Sequence, residues 1–344
     1  MDLQQTNLIQ LYLPLLVHSQ PAVRRQACVI LLGMYGDRAL TSIRRLVDDS
    51  DPQVRQNARL ALLAFAECAD LPIKAQLFQG LYIECLGRLR VYIGNREILA
   101  DDWDSAEGGR AGSQKVQAVL AYLVHCGRQG TSRKALGAAV WSSTHSPSSL
   151  ARTLSVLRQT LSRSACDSSI VEQALVLAAD YCLLDPHYYH TDVQLFESAY
   201  NMAARVEQEQ GLEEAAPLYR QAAALYSGPY MADVLPGSGW GQRRRDHLMN
   251  SFVIAAERLA EYRFTQQQYN QCIDICILAL DADPTADDLM VWLLRAYAAV
   301  GLSAELEHAY RSYARAAGLD TRSAEESHDL VVQTYLDLGR ARAR

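Results

Sequence analysis

Between Gly108 and Cys166 the sequence carries Arg110, Lys115, Arg128, Arg133, Lys134, Arg152, Arg158 and Arg163, and no aspartate or glutamate. The chain as a whole is acidic, with 33 Lys and Arg against 39 Asp and Glu and a formal net charge of -6 at pH 7. A protein of that balance does not attract polyanions over its whole surface, so any nucleic-acid contact must come from a local patch. This stretch is that patch, and the chemistry it offers is phosphate neutralisation. Arginine and glutamine also pair with base edges in a major groove, and serine and threonine reach bases or phosphates. A chance run of charge on a solvated face has the same composition, but this run coincides with a helix-turn-helix pattern.

Three helices are expected there, at about Ser113 to His125, Ser132 to Trp141 and Pro147 to Arg163. The third has the clearest signals. Ser146 can cap it and Pro147 suits its first turn, where no amide hydrogen is needed. Leu150, Leu154, Leu157 and Leu161 form one apolar stripe. With the stripe facing a core, the opposite face carries Arg152, Ser155, Val156, Gln159 and Arg163, with Ser149 and Thr153 to its sides. This makes the third helix the expected recognition helix. Arg158, beside the stripe, suits a backbone phosphate, and Arg133 and Lys134 at the start of the second helix can clamp the flanking strand. The alternative for all ten residues is an ordinary exposed helix face.

The elements around the trio differ in period. Leu81 to Leu86 and Leu89 to Ile93 are rich in β-formers and predict two strands joined near Gly87, with Gly94-Asn95 as a turn after the second. Residues 100–112 read as a loop, acidic and then glycine-rich. Ile170-Val171 and Tyr181 to Leu184 predict the two strands of a hairpin. From about Asp192 the pattern is helical to the end. Small or aromatic residues recur at Ala203, Ala215, Tyr219 and Ala222, at Ala260, Cys272, Cys276, Ala279 and Pro284, and at Tyr297, Ala309, Tyr313 and Ala316. That spacing resembles tetratricopeptide repeats. At the other end, Pro21 to Ala27 and Pro52 to Ala58 align at an offset of 31 residues and resemble HEAT repeats, stacked helical units that here would need a neighbouring domain or subunit.

Other features exclude more than they assign. The apolar runs are far shorter than the roughly 20 residues of a membrane helix, and Met1 to Gln10 lacks the basic start of a secretory signal, so the chain is expected in the cytoplasm. Eight scattered cysteines form no Cys-x-x-Cys pair, and Cys272 and Cys276, one turn apart, read as buried small residues. His187 and His190 flank Tyr188 and Tyr189 in what reads as a linker, with no third ligand for a metal. Arg243-Arg244-Arg245 reads as structural at a helix start, with a second phosphate site as the alternative. No phosphate-binding loop, dinucleotide fingerprint or nucleophile elbow occurs, so neither an enzyme nor a cofactor or metal is expected.

The order of two strands, three helices, a hairpin and helical repeats resembles the SARP family of bacterial activators, in which a winged helix precedes a bacterial transcriptional activator domain. The resemblance is carried by Cys85 to Val91, Leu136 to Trp141, Leu150 to Leu161 with Ser155-Val156-Leu157-Arg158, Tyr226-Ser227-Gly228-Pro229-Tyr230, Trp240 and Arg243 to Arg245, and it covers about residues 81–320. It implies binding to repeated sequences in double-stranded promoter DNA as a homo-oligomer, and recruitment of RNA polymerase. One departure concerns the wing: the family has a Gly-Tyr-Arg type sequence there, whereas this chain has Ala178-Ala179-Asp180-Tyr181-Cys182, which would set Asp180 near phosphate. The expected fold is mainly α, with HEAT-like helical repeats over 1–75, a winged helix-turn-helix with short β-strands over 81–186 and a tetratricopeptide-like domain over 190–340. The competing expectation is a protein-interaction scaffold or ligand sensor whose winged helix has lost its DNA.

Overall fold

Alternating apolar residues open the structure, a computed structural model that describes residues 81–93, 96–103, 109–141, 147–164, 168–234, 239–318 and 329–342. The HEAT-like repeat, the Gly94-Asn95 turn and the cap Ser146 lie outside the described residues. Strand β1 (Leu81–Glu84) turns Leu81 and Ile83 inward and pairs antiparallel with β2 (Arg90–Ile93), Leu81 opposite Ile93 and Ile83 opposite Val91. They are joined through Gly87, whose φ of 95° is a conformation that side chains resist. β3 (Arg96–Glu97) pairs with β2, and Arg90 lies 3.7 Å from the Glu84 carboxylate and 3.9 Å from that of Glu97.

The expected loop over 100–112 is corrected at both ends. Helix α1 (Ala100–Trp103) forms because the Asp102 carboxylate accepts the Leu99 N–H at 3.0 Å and Trp103 is buried, and α2 (Gly109–Cys126) begins before the expected Ser113. Val116, Val119, Leu120 and Leu123 form the buried side of α2. After β4 (Thr131–Ser132), helix α3 (Arg133–Val140) is capped by Ser132, whose hydroxyl accepts the Ala135 N–H at 3.1 Å. α4 (Pro147–Ser164) packs on α2, with Leu150, Leu154, Leu157 and Leu161 all buried.

The second strand of the hairpin falls where expected, at Tyr181 to Leu184, and the first sits a few residues later. Ile170 and Val171 belong to α5 (Ser168–Ala174), where Val171, Ala174 and the following Leu175 are fully buried at helical spacing. The hairpin strands are β5 (Leu175–Leu177) and β6 (Tyr181–Leu184), and β4 adds to β6 to give the order β4-β6-β5. Gly130, next to β4, has a φ of 57°, and a Cβ there would run into the Tyr181 ring and come within 2.9 Å of the Cys182 carbonyl oxygen. Gly130→Ala is therefore expected to cost about 1 to 3 kcal/mol or more in thermal unfolding, because backbone as well as side chain must move.

The segment read as a linker contains β7 (Tyr189–Thr191), which runs parallel to β1 with Tyr189 opposite Leu81 and completes the order β3-β2-β1-β7. α6 (Asp192–Gln210) starts at once. The buried Asp192 carboxylate accepts the N–H groups of Cys85 at 2.7 Å, Leu86 at 2.8 Å and Val193 at 2.8 Å, so one side chain serves both the end of β1 and the start of a helix. Burial, with the charge of Glu84 adding to it, pushes this carboxyl up to about 7 against the pull of those donors.

The chain divides into two compact units, and the described residues of the first lie within 81–195 and 225–248. Within it the later segment lies along the turn after β1. Leu86 bridges Tyr230, the Met231 N–H meets the Cys85 carbonyl at 2.6 Å, and the Ala232 N–H meets that of Gly87 at 2.8 Å. Gly228 approaches Gly87 so closely that a Cβ on it would lie 3.4 Å from the Gly87 Cα. The Trp240 ring packs against His125 and edge-on against Tyr122, at centroid distances of 4.8 and 5.3 Å. Arg245 has the structural role expected of the arginine run, donating from Nε to the Tyr230 carbonyl at 2.8 Å.

The described residues of the second unit are 196–224, 249–318 and 329–342, drawn from α6, α7 (Leu212–Leu225), α8 (Gln242–Thr265), α9 (Tyr269–Leu280), α10 (Asp287–Ala299), α11 (Ser303–Ala316) and α12 (Leu330–Arg342). α9 packs on α10, and α10 on α11 and α12. Ala203, Ala215, Ala222, Ala260, Cys272, Cys276 and Ala279 are fully buried, as close helix pairing requires. Pro284 and Ala316 are exposed instead, the first in the α9–α10 turn and the second in the last turn of α11.

Candidate nucleic-acid interface

α4 is 18 residues long, about 27 Å, enough to lie along several base pairs of a groove. Its burial pattern sets its outward face. With the leucine stripe inside, Ser149, Arg152, Ser155, Gln159 and Arg163 are exposed and Val156 is half-buried at the edge of that face. Thr153 is also half-buried, and its hydroxyl donates back to the Ser149 carbonyl at 2.9 Å, so its proton stays within the helix. Neither α3 nor α4 carries an acidic side chain, and the N-terminal end of α4 adds the positive end of a helix dipole near Ser149 and Arg152.

The basic residues divide into those that hold the unit together and those presented outward. Lys115 donates to the Val140 carbonyl at 2.7 Å and lies over the Trp141 ring, closing the end of α3. Arg133 ties the start of α3 to the β5–β6 turn: its Nε donates to the Ala178 carbonyl at 3.0 Å, and its own N–H to that of Asp180 at 3.0 Å. Arg158 is exposed but donates to the Leu175 carbonyl at 3.2 Å, which links α4 to β5. Lys134 is exposed beside Arg133.

The hairpin turn presents Ala178, Ala179 and Asp180 to solvent, with exposed Val176 and Tyr181 on its strands. The Tyr181 hydroxyl donates to the Gln129 carbonyl at 2.9 Å, holding the hairpin to the segment before β4. Val176 and Tyr181 carry no charge, so a search for basic residues passes over them. Among the described residues, no helix is long and apolar enough to cross a membrane, and no group of three or more potential ligands could hold a metal ion.

The first unit thus sets three helices, α2, α3 and α4, beside a small hairpin sheet and turns an acid-free helix face outward. Residues 191–330 match the family model of the Bacterial transcriptional activator domain. The fold is similar to that of Mycobacterium tuberculosis EmbR in complex with low affinity phosphopeptide, with 20% sequence identity and a TM-score of 0.54 over 76% of this chain. This chain covers 64% of that chain, less than two thirds of its length. No curated protein matches the sequence significantly.

Proposed function

We propose that this chain is a sequence-specific DNA-binding transcription regulator, an activator that recruits RNA polymerase. In this reading residues 81–186 are the DNA-binding winged helix and residues 190–340 the activator domain. The observation that carries it is the outward face of α4, where Arg152, Ser155, Gln159 and Arg163 are exposed on a helix without a single acid. The match of residues 191–330 to an activator-domain family supports the same reading from the other half of the chain. α4 enters the major groove, where Arg152 and Gln159 read base edges, and Ser149, Thr153, Ser155, Val156 and Arg163 complete the contact surface. Lys134, with Arg133 and Arg158 through the parts of their guanidinium groups outside the bonds already described, faces the phosphates. Two copies on repeated half-sites double the contact.

Fluorescence polarisation with DNA from upstream of the chain's own gene, taken across a salt series, tests this. If one copy neutralises three to five phosphates, affinity falls about 40- to 500-fold between 50 and 200 mM salt. A scaffold with a degenerate winged helix shows little binding at any salt.

A further inference from the structure

A cavity of about 680 Å³ lies inside the first unit, bounded by the end of α2, the segment before β4, β7, the start of α6 and the returning segment around Tyr230 and Arg244. That volume falls within the range of small-molecule sites, roughly 300 to 1,000 Å³. Its lining is chemically one-sided. Arg128 and Arg244 contribute two guanidinium groups, and no aspartate or glutamate lines it. Buried Tyr189 and Tyr230 and exposed Gln194 are also among its lining residues. His125 lines it as well, its ring 6.0 Å from that of Tyr230.

Two carboxylates close by in the chain do not line the cavity: buried Asp192 accepts three backbone N–H groups, and Asp185, which interacts electrostatically with Arg128, is hydrogen-bonded to His187. Burial, with the charges of Arg244 and Arg245 adding to it, holds the His125 imidazole below its usual range, so at neutral pH this ring is an uncharged partner beside a cationic wall.

We propose that this cavity binds a small organic anion, a carboxylate or a phosphate ester on a flat ring, with Arg128 and Arg244 taking the anionic group and the ring lying among His125, Tyr189 and Tyr230. Guanidinium groups favour carboxylate and phosphate by bidentate charge-assisted hydrogen bonds, and the aromatic walls favour a planar body. The site joins the end of the helix that supports α4 to the returning segment, so its occupant would brace one against the other. This goes beyond the reading of the chain as a DNA-binding regulator, and the test needs no DNA.

Calorimetric titration of the full chain with phenyl phosphate, benzoate, inorganic phosphate and the neutral benzamide decides it. Saturable binding of phenyl phosphate or benzoate, with benzamide silent, is the expected result, and whichever of the two binds more tightly identifies the anionic group. Inorganic phosphate should bind more weakly than phenyl phosphate, since it lacks the ring. Arg128→Ala, a change at an exposed position, and Arg244→Met should each weaken the tighter probe about tenfold or more. The proposal is overturned if neither phenyl phosphate nor benzoate saturates, if benzamide binds as tightly as the tighter of the two, or if Arg128→Ala binds as the unaltered chain does.

Discussion

Replacing Arg152 and Gln159 together by alanine is expected to bring binding to the chain's preferred DNA close to its affinity for random DNA. Both side chains are exposed on the outward face of α4, seven positions and so almost two turns apart, and both can make paired hydrogen bonds to a base. Each such pair discriminates by about 1 to 3 kcal/mol, so each single variant should lose roughly 5- to 150-fold on the preferred sequence and little on random DNA. Lys134→Ala should weaken both sequences by a similar factor and make the salt dependence shallower by about one unit of slope. Arg133→Ala should also weaken both, and should lower thermal stability as well, because its Nε holds the hairpin turn at Ala178. Competition polarisation with preferred and random duplexes measures the double variant and the four single ones. An equal loss from Arg152, Gln159, Arg133 and Lys134 on both sequences would contradict the orientation assigned to α4.

Asp192→Ala should produce the largest loss of stability of any single change considered. The substitution strands the buried N–H groups of Cys85 and Leu86 and removes the acceptor at the first turn of α6. At about 1 to 3 kcal/mol for each of the two stranded donors, the cost is about 2 to 6 kcal/mol, a fall in Tm on the order of 10 °C for a unit of this size. The effect should depend on pH in a definite direction. The carboxyl is pushed up to about 7 in the folded protein, against about 3.9 in an unfolded chain. The folded state therefore holds the extra proton between those values, and the stability that proton confers is lost as pH rises from about 4 to about 7. The gap in stability between the unaltered chain and Asp192→Ala should accordingly narrow from pH 5 to pH 8, as read by chemical denaturation at each pH. A gap that widens would mean the three donors outweigh burial.

The helices of the first unit are legible in the sequence because a buried stripe at a period of 3.6 residues needs no partner to be recognised. Leu150, Leu154, Leu157 and Leu161 announce α4 and also its outward face. The small residues at Ala203, Ala215, Ala260 and Ala279 announce close helix pairing in the same way. Short elements gave no such signal. β7 has three residues, and its place beside β1 depends on a parallel pairing between segments about 100 residues apart, so Tyr189 and His190 read as a linker. Ile170-Val171 looks like a strand in isolation, since β-branched residues favour one, and becomes helix because Val171 and Ala174 share a buried face.

What the sequence determined by itself is the distribution of charge and the periodicity: an acid-free arginine-bearing stretch, three helices and the exposed face of the third. Only the tertiary structure decided which cations are committed to holding the chain together. Lys115 meets the carbonyl of Val140 and Arg133 that of Ala178, 25 and 45 residues away. The cationic cavity is of the same kind, since Arg128 and Arg244 face one space only after the returning segment lies against the turn at Gly87. The physical reason is that charge count and helical period are local properties of a chain, whereas a hydrogen-bond partner or a cavity wall is set by which distant backbone folding brings near.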